Sequence, residues 1–225
     1  MKHLKLFESF EDIDSICKKY VILYTTINPD GSIDVDGDVY LSSEALTKLP
    51  LKFGKVTGYF NCSDNQLTTL EGSPREVGGD FSCYNNKLTT LEGSPKEVGG
   101  YFYCNDNQLI TLEGSPREVV GNFYCGYNQL TTLEGSPREV GGNFYCYNNQ
   151  LITLEGGPRE VGGYFDCIGN PIYSVYKLFP DYKSFMDSLD YSYLRGTNIV
   201  KSRFKEALNE AGIEIPEKIK GYNYI

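Results

Sequence analysis

The sequence predicts an α/β solenoid of stacked 21-residue coils, and three observations predict it. Asn65, Asn86, Asn107, Asn128, Asn149 and Asn170 stand 21 positions apart, each in the same sequence context, as in Phe81-Ser82-Cys83-Tyr84-Asn85-Asn86-Lys87-Leu88. Six Phe residues (60, 81, 102, 123, 144 and 165) each precede a Cys by two positions, the period of a short strand with one face buried. The repeat length falls among those of supersecondary units stacked on copies of themselves, so function is to be sought on a surface that several coils make together.

The elements follow in chain order. In residues 1–32, Leu4, Phe7, Ile13, Ile16, Cys17 and Tyr20 recur at helical spacing and predict an N-terminal helical cap over the first coil. Ile33, Val35, Val39 and Leu41 then alternate with Asp34, Asp36 and Asp38 as a strand. Residues 33–172 read as the solenoid, one degenerate coil followed by six regular ones. In the degenerate coil Val39, Leu41, Leu46 and Leu49 hold the core offsets, with Glu44 where Asn would stand.

Each regular coil opens with a strand that predicts a parallel sheet on the concave face, then Asn, then Leu two and five residues later. Its second half, Glu-Gly-Ser-Pro-Arg-Glu-Val, is too short and too rich in Gly and Pro for a helix, so an irregular, extended or 3₁₀ convex side is expected. Residues 173–225 read as a C-terminal helical cap. Phe179, Phe185, Met186 and Leu189, then Ile199, Val200, Phe204 and Leu208, suggest two amphipathic helices ending near Gly212.

The pattern Phe-x-Cys-x-x-Asn-x-Leu-x-x-Leu resembles the signature of leucine-rich repeats, with Phe at the first consensus Leu. The resemblance implies that Asn65 through Asn170 bond backbone groups at the bend between coils. Three stretches, Asp30-Gly31-Ser32-Ile33-Asp34-Val35-Asp36-Gly37-Asp38, the join Leu49 to Val56, and the Leu-Glu-Gly-Ser-Pro-Arg-Glu-Val-Gly-Gly units, look like leucine-rich-repeat proteins of tailed bacteriophages and environmental viral sequences. The likeness takes in both ends and implies a phage protein acting in the host cell cytoplasm on a host protein. The opening Met1 to Glu11 is similar in character to segments that send internal proteins into phage heads, so a place in the virion is the other setting; a helix over the first coil is the plainer reading.

Composition narrows the function classes. With 225 residues and 40% apolar content the chain can fill a continuous core. A net charge of −9 argues against nucleic acid and anionic lipid, which need clustered cations. No apolar run is long enough to span a bilayer, and the first ten residues lack the core of a secretory signal, so an intracellular protein is expected. Of the seven Cys, six (62, 83, 104, 125, 146 and 167) sit on the repeat with 20 residues between them, unlike the close pairs of metal sites, and are expected as buried reduced thiols; Cys17 lies outside the repeat.

No catalytic constellation emerges, no cofactor or metal is implied, and an enzyme is not expected. His3 has no partner at fixed spacing, and no other His is present to build a nucleophile pair. Ser32, Asp34, Asp36 and Gly37 sit at positions 1, 3, 5 and 6 of a calcium loop, but Ser43 stands where a bidentate Glu is needed and the flanks alternate as a strand. The ladders of Arg75, Lys96, Arg117, Arg138 and Arg159 beside Glu76, Glu97, Glu118, Glu139 and Glu160 read as a solvated face.

If Phe and Cys point inward, eighteen positions beside and between them point outward, and eight of these are Tyr: 59, 84, 101, 103, 124, 145, 147 and 164; none is Lys or Arg. Tyr gives large contact area at low entropic cost and is enriched at binding hot spots, so these residues are the predicted partner-binding face. A protein partner is expected, with a glycan as the alternative; Tyr as a plain strand residue, stacked for stability, is the reading without a ligand.

Overall fold

The computed structural model describes residues 10–225, so Leu4, Phe7, His3 and the start of the expected N-terminal cap lie outside the described residues. Each of the first five regular coils makes two short strands and the sixth makes only the first, and copies of each pair one coil apart. Val39–Tyr40, Phe60–Asn61, Phe81–Ser82, Phe102–Tyr103, Phe123–Tyr124, Phe144–Tyr145 and Phe165–Asp166 form a seven-stranded parallel sheet, called the Phe sheet below. Its register is one repeat, with Phe60 opposite Phe81 and Phe81 opposite Phe102.

The second sheet, the Val sheet, has eight strands: Tyr24–Ile27, Ile33–Val35, Phe53–Val56, Glu76–Val77, Glu97–Val98, Glu118–Val119, Glu139–Val140 and Glu160–Val161. All its pairs are parallel except the first, where Tyr24–Ile27 runs antiparallel to Ile33–Val35. Of the irregular, extended and 3₁₀ readings of the convex side, this sheet bears out the extended one and corrects the other two. The Glu-Val step is extended because its Val must reach the core and its backbone groups pair with the coil before, as Gly99 N–H does with the Val77 carbonyl at 2.9 Å. The corner that follows allows that close stacking: a Cβ on Gly99 would stand 2.2 Å from the Gly78 carbonyl oxygen.

The inward residues of the two sheets share one core. Phe60, Phe81, Phe102, Phe123 and Phe144, with all six repeat Cys and both Leu of every regular coil that has them, are fully buried. The Phe rings stack in a column with centroids 5.7, 5.1, 5.2, 5.3 and 5.3 Å apart. Burying each ring contributes about 2–3 kcal/mol, so the column is the largest apolar term in every coil. All seven Cys are free and buried.

A column of Asn ties each coil to the one before. The Asn86 amide donates to the carbonyls of Cys62 in the previous coil (3.1 Å), Cys83 (3.1 Å) and Tyr84 (3.2 Å), while its oxygen accepts the Leu67 N–H at 2.9 Å. The bonds to the previous Cys carbonyl and the previous Leu N–H recur at Asn107, Asn128, Asn149 and Asn170. At Asn65 the degenerate coil supplies the Leu41 carbonyl and the N–H groups of Glu44 and Leu46. An Asn fits because one side chain must supply both donor and acceptor to backbone groups that the bend leaves unpaired.

At the N-terminal end, helix Phe10–Lys19 buries Ile13 and Cys17 in the core, and the Tyr24 hydroxyl donates to Asp14 to fix the helix on the first strand. After the last coil come the helices Tyr173–Tyr176, Tyr182–Ser188 and Lys201–Glu210. A small three-stranded sheet of Leu194–Arg195, Asn198–Ile199 and Asn223–Tyr224, absent from the sequence reading, joins them. Asp181 caps the middle helix by accepting the Ser184 N–H at 2.7 Å, which holds its carboxyl below the usual carboxylate range. Tyr182 then stacks on Phe165 with centroids 4.1 Å apart, and the Tyr222 hydroxyl donates to the Ile152 carbonyl at 2.8 Å. No helix of the described residues is long and apolar enough to cross a membrane.

Candidate binding face

The outward side of the Phe sheet is set by the residue between Phe and Cys. In three consecutive coils it is Tyr, and Tyr103, Tyr124 and Tyr145 stack with centroids 4.7 Å apart in both steps and planes within 10° and 13°. All three rings are half-buried. The residue before each Phe fixes two of them: the Asn122 amide donates to the Tyr124 hydroxyl and the Asn143 amide to the Tyr145 hydroxyl, both at 2.8 Å. The same Asn side chains accept the N–H of Asn143 and Tyr164 in the next coil at 2.7 Å. Asp38 and Asp80 accept the equivalent N–H of Tyr59 and Tyr101 at 2.8 Å, and Asp38 also accepts the Tyr40 hydroxyl at 3.0 Å, so there the ring donates where Tyr124 and Tyr145 accept.

The other expected Tyr residues are placed differently. Tyr59, Tyr101 and Tyr164 are 48%, 41% and 79% exposed, at the corner that enters the Phe sheet. Two of these rings lie against glycines of the next coil: a Cβ on Gly79 would stand 2.4 Å from the Tyr59 ring, and one on Gly121 2.0 Å from the Tyr101 ring. Tyr84 and Tyr147 are half-buried, at the corner that leaves the sheet. Tyr101 meets Tyr103, and Tyr145 meets Tyr147, edge to face at 6.1 and 6.3 Å. Among the non-Tyr positions expected outward, Ser63 is instead fully buried, its hydroxyl bonded to Asn61 at 2.7 Å.

Two aromatic residues escaped the sequence reading. Tyr40, 57% exposed, occupies in the degenerate coil the offset of Asn61 and Tyr103, so the repeat alignment itself could have found it. Tyr127 is exposed and packs edge to face on Tyr147 at 5.3 Å. Its φ of 52° puts it in the left-handed region, where other coils place Asp64, Asn85, Asp106, Asn148 or Gly169. Nothing in its own residue type signals that conformation, which Tyr adopts at a cost of order 1 kcal/mol.

Burial, with Tyr124 and Asp80 beside it, pushes the Tyr103 phenol up to about 12, and burial raises Tyr147 as well. Beside these phenols the face offers amides, ring edges and the carboxylates of Asp80 and Asp166. The acidic loop before it is engaged within the protein. Asp30 pairs with Lys52 at 2.8 Å, which holds its carboxyl well below the usual range; Asp34 accepts the Lys55 N–H at 2.8 Å; and Asp36 accepts the Thr57 hydroxyl at 3.0 Å. Compared with protein-family models, curated proteins and solved structures, the chain gives no match.

Proposed function

We propose that this chain is a leucine-rich-repeat module, closed by helical caps at both ends, that binds another protein through its Tyr face without catalysing a reaction. The Asn column, bonded coil to coil through backbone groups, supports the leucine-rich-repeat assignment. The setting that the viral likeness implies, a phage protein acting on a host protein in the host cytoplasm, is part of the same proposal.

The observation that carries the binding reading is the ordered aromatic surface: three stacked rings, two of them held by hydrogen bonds, bordered by the exposed rings of Tyr59, Tyr101 and Tyr164. Rigid aromatic groups lose little entropy on association, and an exposed aromatic patch rimmed by polar groups is the usual form of a protein-binding surface. A glycan fits less well, because sugars pack on ring faces and those of Tyr124 are covered by its neighbours on both sides. The half-buried stack is also part of the sheet, so the exposed trio is the cleaner probe. Affinity capture from bacterial lysate with the wild type and with Tyr59→Ala/Tyr101→Ala/Tyr164→Ala, read by mass spectrometry, tests the reading. A protein retained by the wild type and lost from the variant, with unchanged circular dichroism, is expected; equal retention by both, or none by either, overturns it.

A further inference from the structure

The two sheets finish differently at their C-terminal ends. The Phe column is covered, since Phe165 carries Tyr182 at 4.1 Å and Tyr176 at 5.7 Å. The Val sheet stops at Glu160–Val161, with no strand beyond it among the described residues. Val77, Val98, Val119 and Val140 are at most 3% exposed, whereas Val161 is only half-buried. In the coil before, the carbonyls of Arg138 and Val140 accept the N–H of Arg159 and Gly162 at 2.8 and 2.9 Å. Their equivalents, the carbonyls of Arg159 and Val161, stand on the sheet's last strand, the arrangement to which an extended chain adds by main-chain hydrogen bonding. A groove of about 1100 Å³ opens beside that strand, walled on its far side by Tyr182, Lys183 and Met186.

The chain itself shows what meets a Glu-Val strand. At the front of the ladder Phe53–Val56 lies parallel to Glu76–Val77, with Lys55 opposite Glu76 and Val56 opposite Val77, and the Lys55 amine forms an ion pair with Glu76. The groove at the back carries five carboxylates, Glu139 and Glu160 among them, against Arg159 and Lys183, and Lys183 is already paired with Asp187 at 2.6 Å. We propose that the Glu160–Val161 edge docks an extended segment of another protein as a ninth strand of the Val sheet. That segment carries a Lys or Arg directly followed by a β-branched apolar residue. The cation meets Glu160, the apolar side chain covers Val161, and main-chain bonds set the register. This site is built on the other sheet from the Tyr face; Tyr164 borders the groove, whereas Tyr59 and Tyr101 do not line it.

The test uses the full chain and a fluorescent peptide, Leu-Lys-Phe-Gly-Lys-Val-Thr-Gly, the sequence of residues 51–58, followed by anisotropy. Saturable binding is expected, weakened at least about tenfold by Glu160→Lys, which turns an attraction into a repulsion at an exposed position. N-methylation of the peptide backbone should abolish it, and Glu97→Lys, in mid-ladder, should leave it unchanged, as should alanine at Tyr59 and Tyr101, which lie outside the groove. No saturable binding, or binding that survives Glu160→Lys or N-methylation, or that is lost with the Tyr substitutions, overturns the proposal.

Discussion

The Phe sheet and the Val sheet grow from the same repeat and in the same register, with six regular strands in the first and five in the second, yet only one is closed at both ends. Phe53 lies edge to face on Phe60 at 5.0 Å at the front of the Phe column, and Tyr176 and Tyr182 cover Phe165 at its back. The Val sheet is continued at its front by the strands at Ile33–Val35 and Tyr24–Ile27 and ends bare. The difference teaches that closure follows side-chain size. An uncovered Phe leaves on the order of 200 Å² of ring in water, whereas an uncovered Val leaves much less, so the C-terminal segment places its aromatic residues on the Phe column.

The sharpest way to set the two sheets apart is alkaline titration, because the repeat thiols all follow the Phe strands and the Val strands hold none. Burial pushes Cys62 and Cys167 up to about 12 and raises Cys83, Cys104, Cys125 and Cys146 as well. An unfolded thiol ionises near about 8.5, so the folded state holds these protons longer and their stabilisation is complete below that pH. It is then lost as pH rises toward 12, by about 1.4 kcal/mol per pH unit for each thiol. Urea midpoints should be level to about pH 8 and fall steeply above 9; a midpoint level to pH 11 would show that the column is open to water.

Removing one ring from the middle of the column comes next. Phe123→Ala should destabilise by about 3–5 kcal/mol in urea, since the ring is fully buried between two others that cannot close the gap. Asn128→Ala should cost about 3 kcal/mol, because it strands the carbonyls of Cys104, Cys125 and Gly126 and the N–H of Leu109. On the Val sheet the effects are smaller and position-dependent: about 2 kcal/mol for Val140→Ala and under about 1 kcal/mol for Val161→Ala. Equal losses at 140 and 161 would mean that the last strand is covered after all.

The solenoid was legible because its signal is repeated. Phe-x-Cys, the Asn and the two Leu recur at fixed offsets, and each recurrence repeats the same statement about which side chains are buried. The second sheet was not, because Glu-Val offers two residues to a periodicity test, too few to tell a strand from a turn. What makes it a strand is the copy one coil away. The Tyr face was legible as a set of outward positions, but not its internal differences. Tyr103, Tyr124 and Tyr145 stack because three consecutive coils place Tyr between Phe and Cys. Asn122 and Asn143 hold two of their hydroxyls, at the offset where Tyr101 stands one coil before Asn122 and Asp80 two, and the rings of Tyr59 and Tyr101 rest on the glycines beneath them. The small sheet near the C-terminus was hidden because Leu194–Arg195 and Asn223–Tyr224 pair over a long sequence distance through Asn198–Ile199.

The Asn column has a genetic consequence. From Asn86 to Asn170 each bond it makes to the preceding coil reaches back 24 residues to a carbonyl or 19 residues to an N–H, and the same groups wait one coil further along. Excising 21 residues between 87 and 149 therefore rejoins each Asn to a socket of the same shape, and duplicating them does likewise. The molecule behaves as a ruler graduated in coils: recombination between its near-identical segments can lengthen or shorten the surface it presents while leaving both ends as they are.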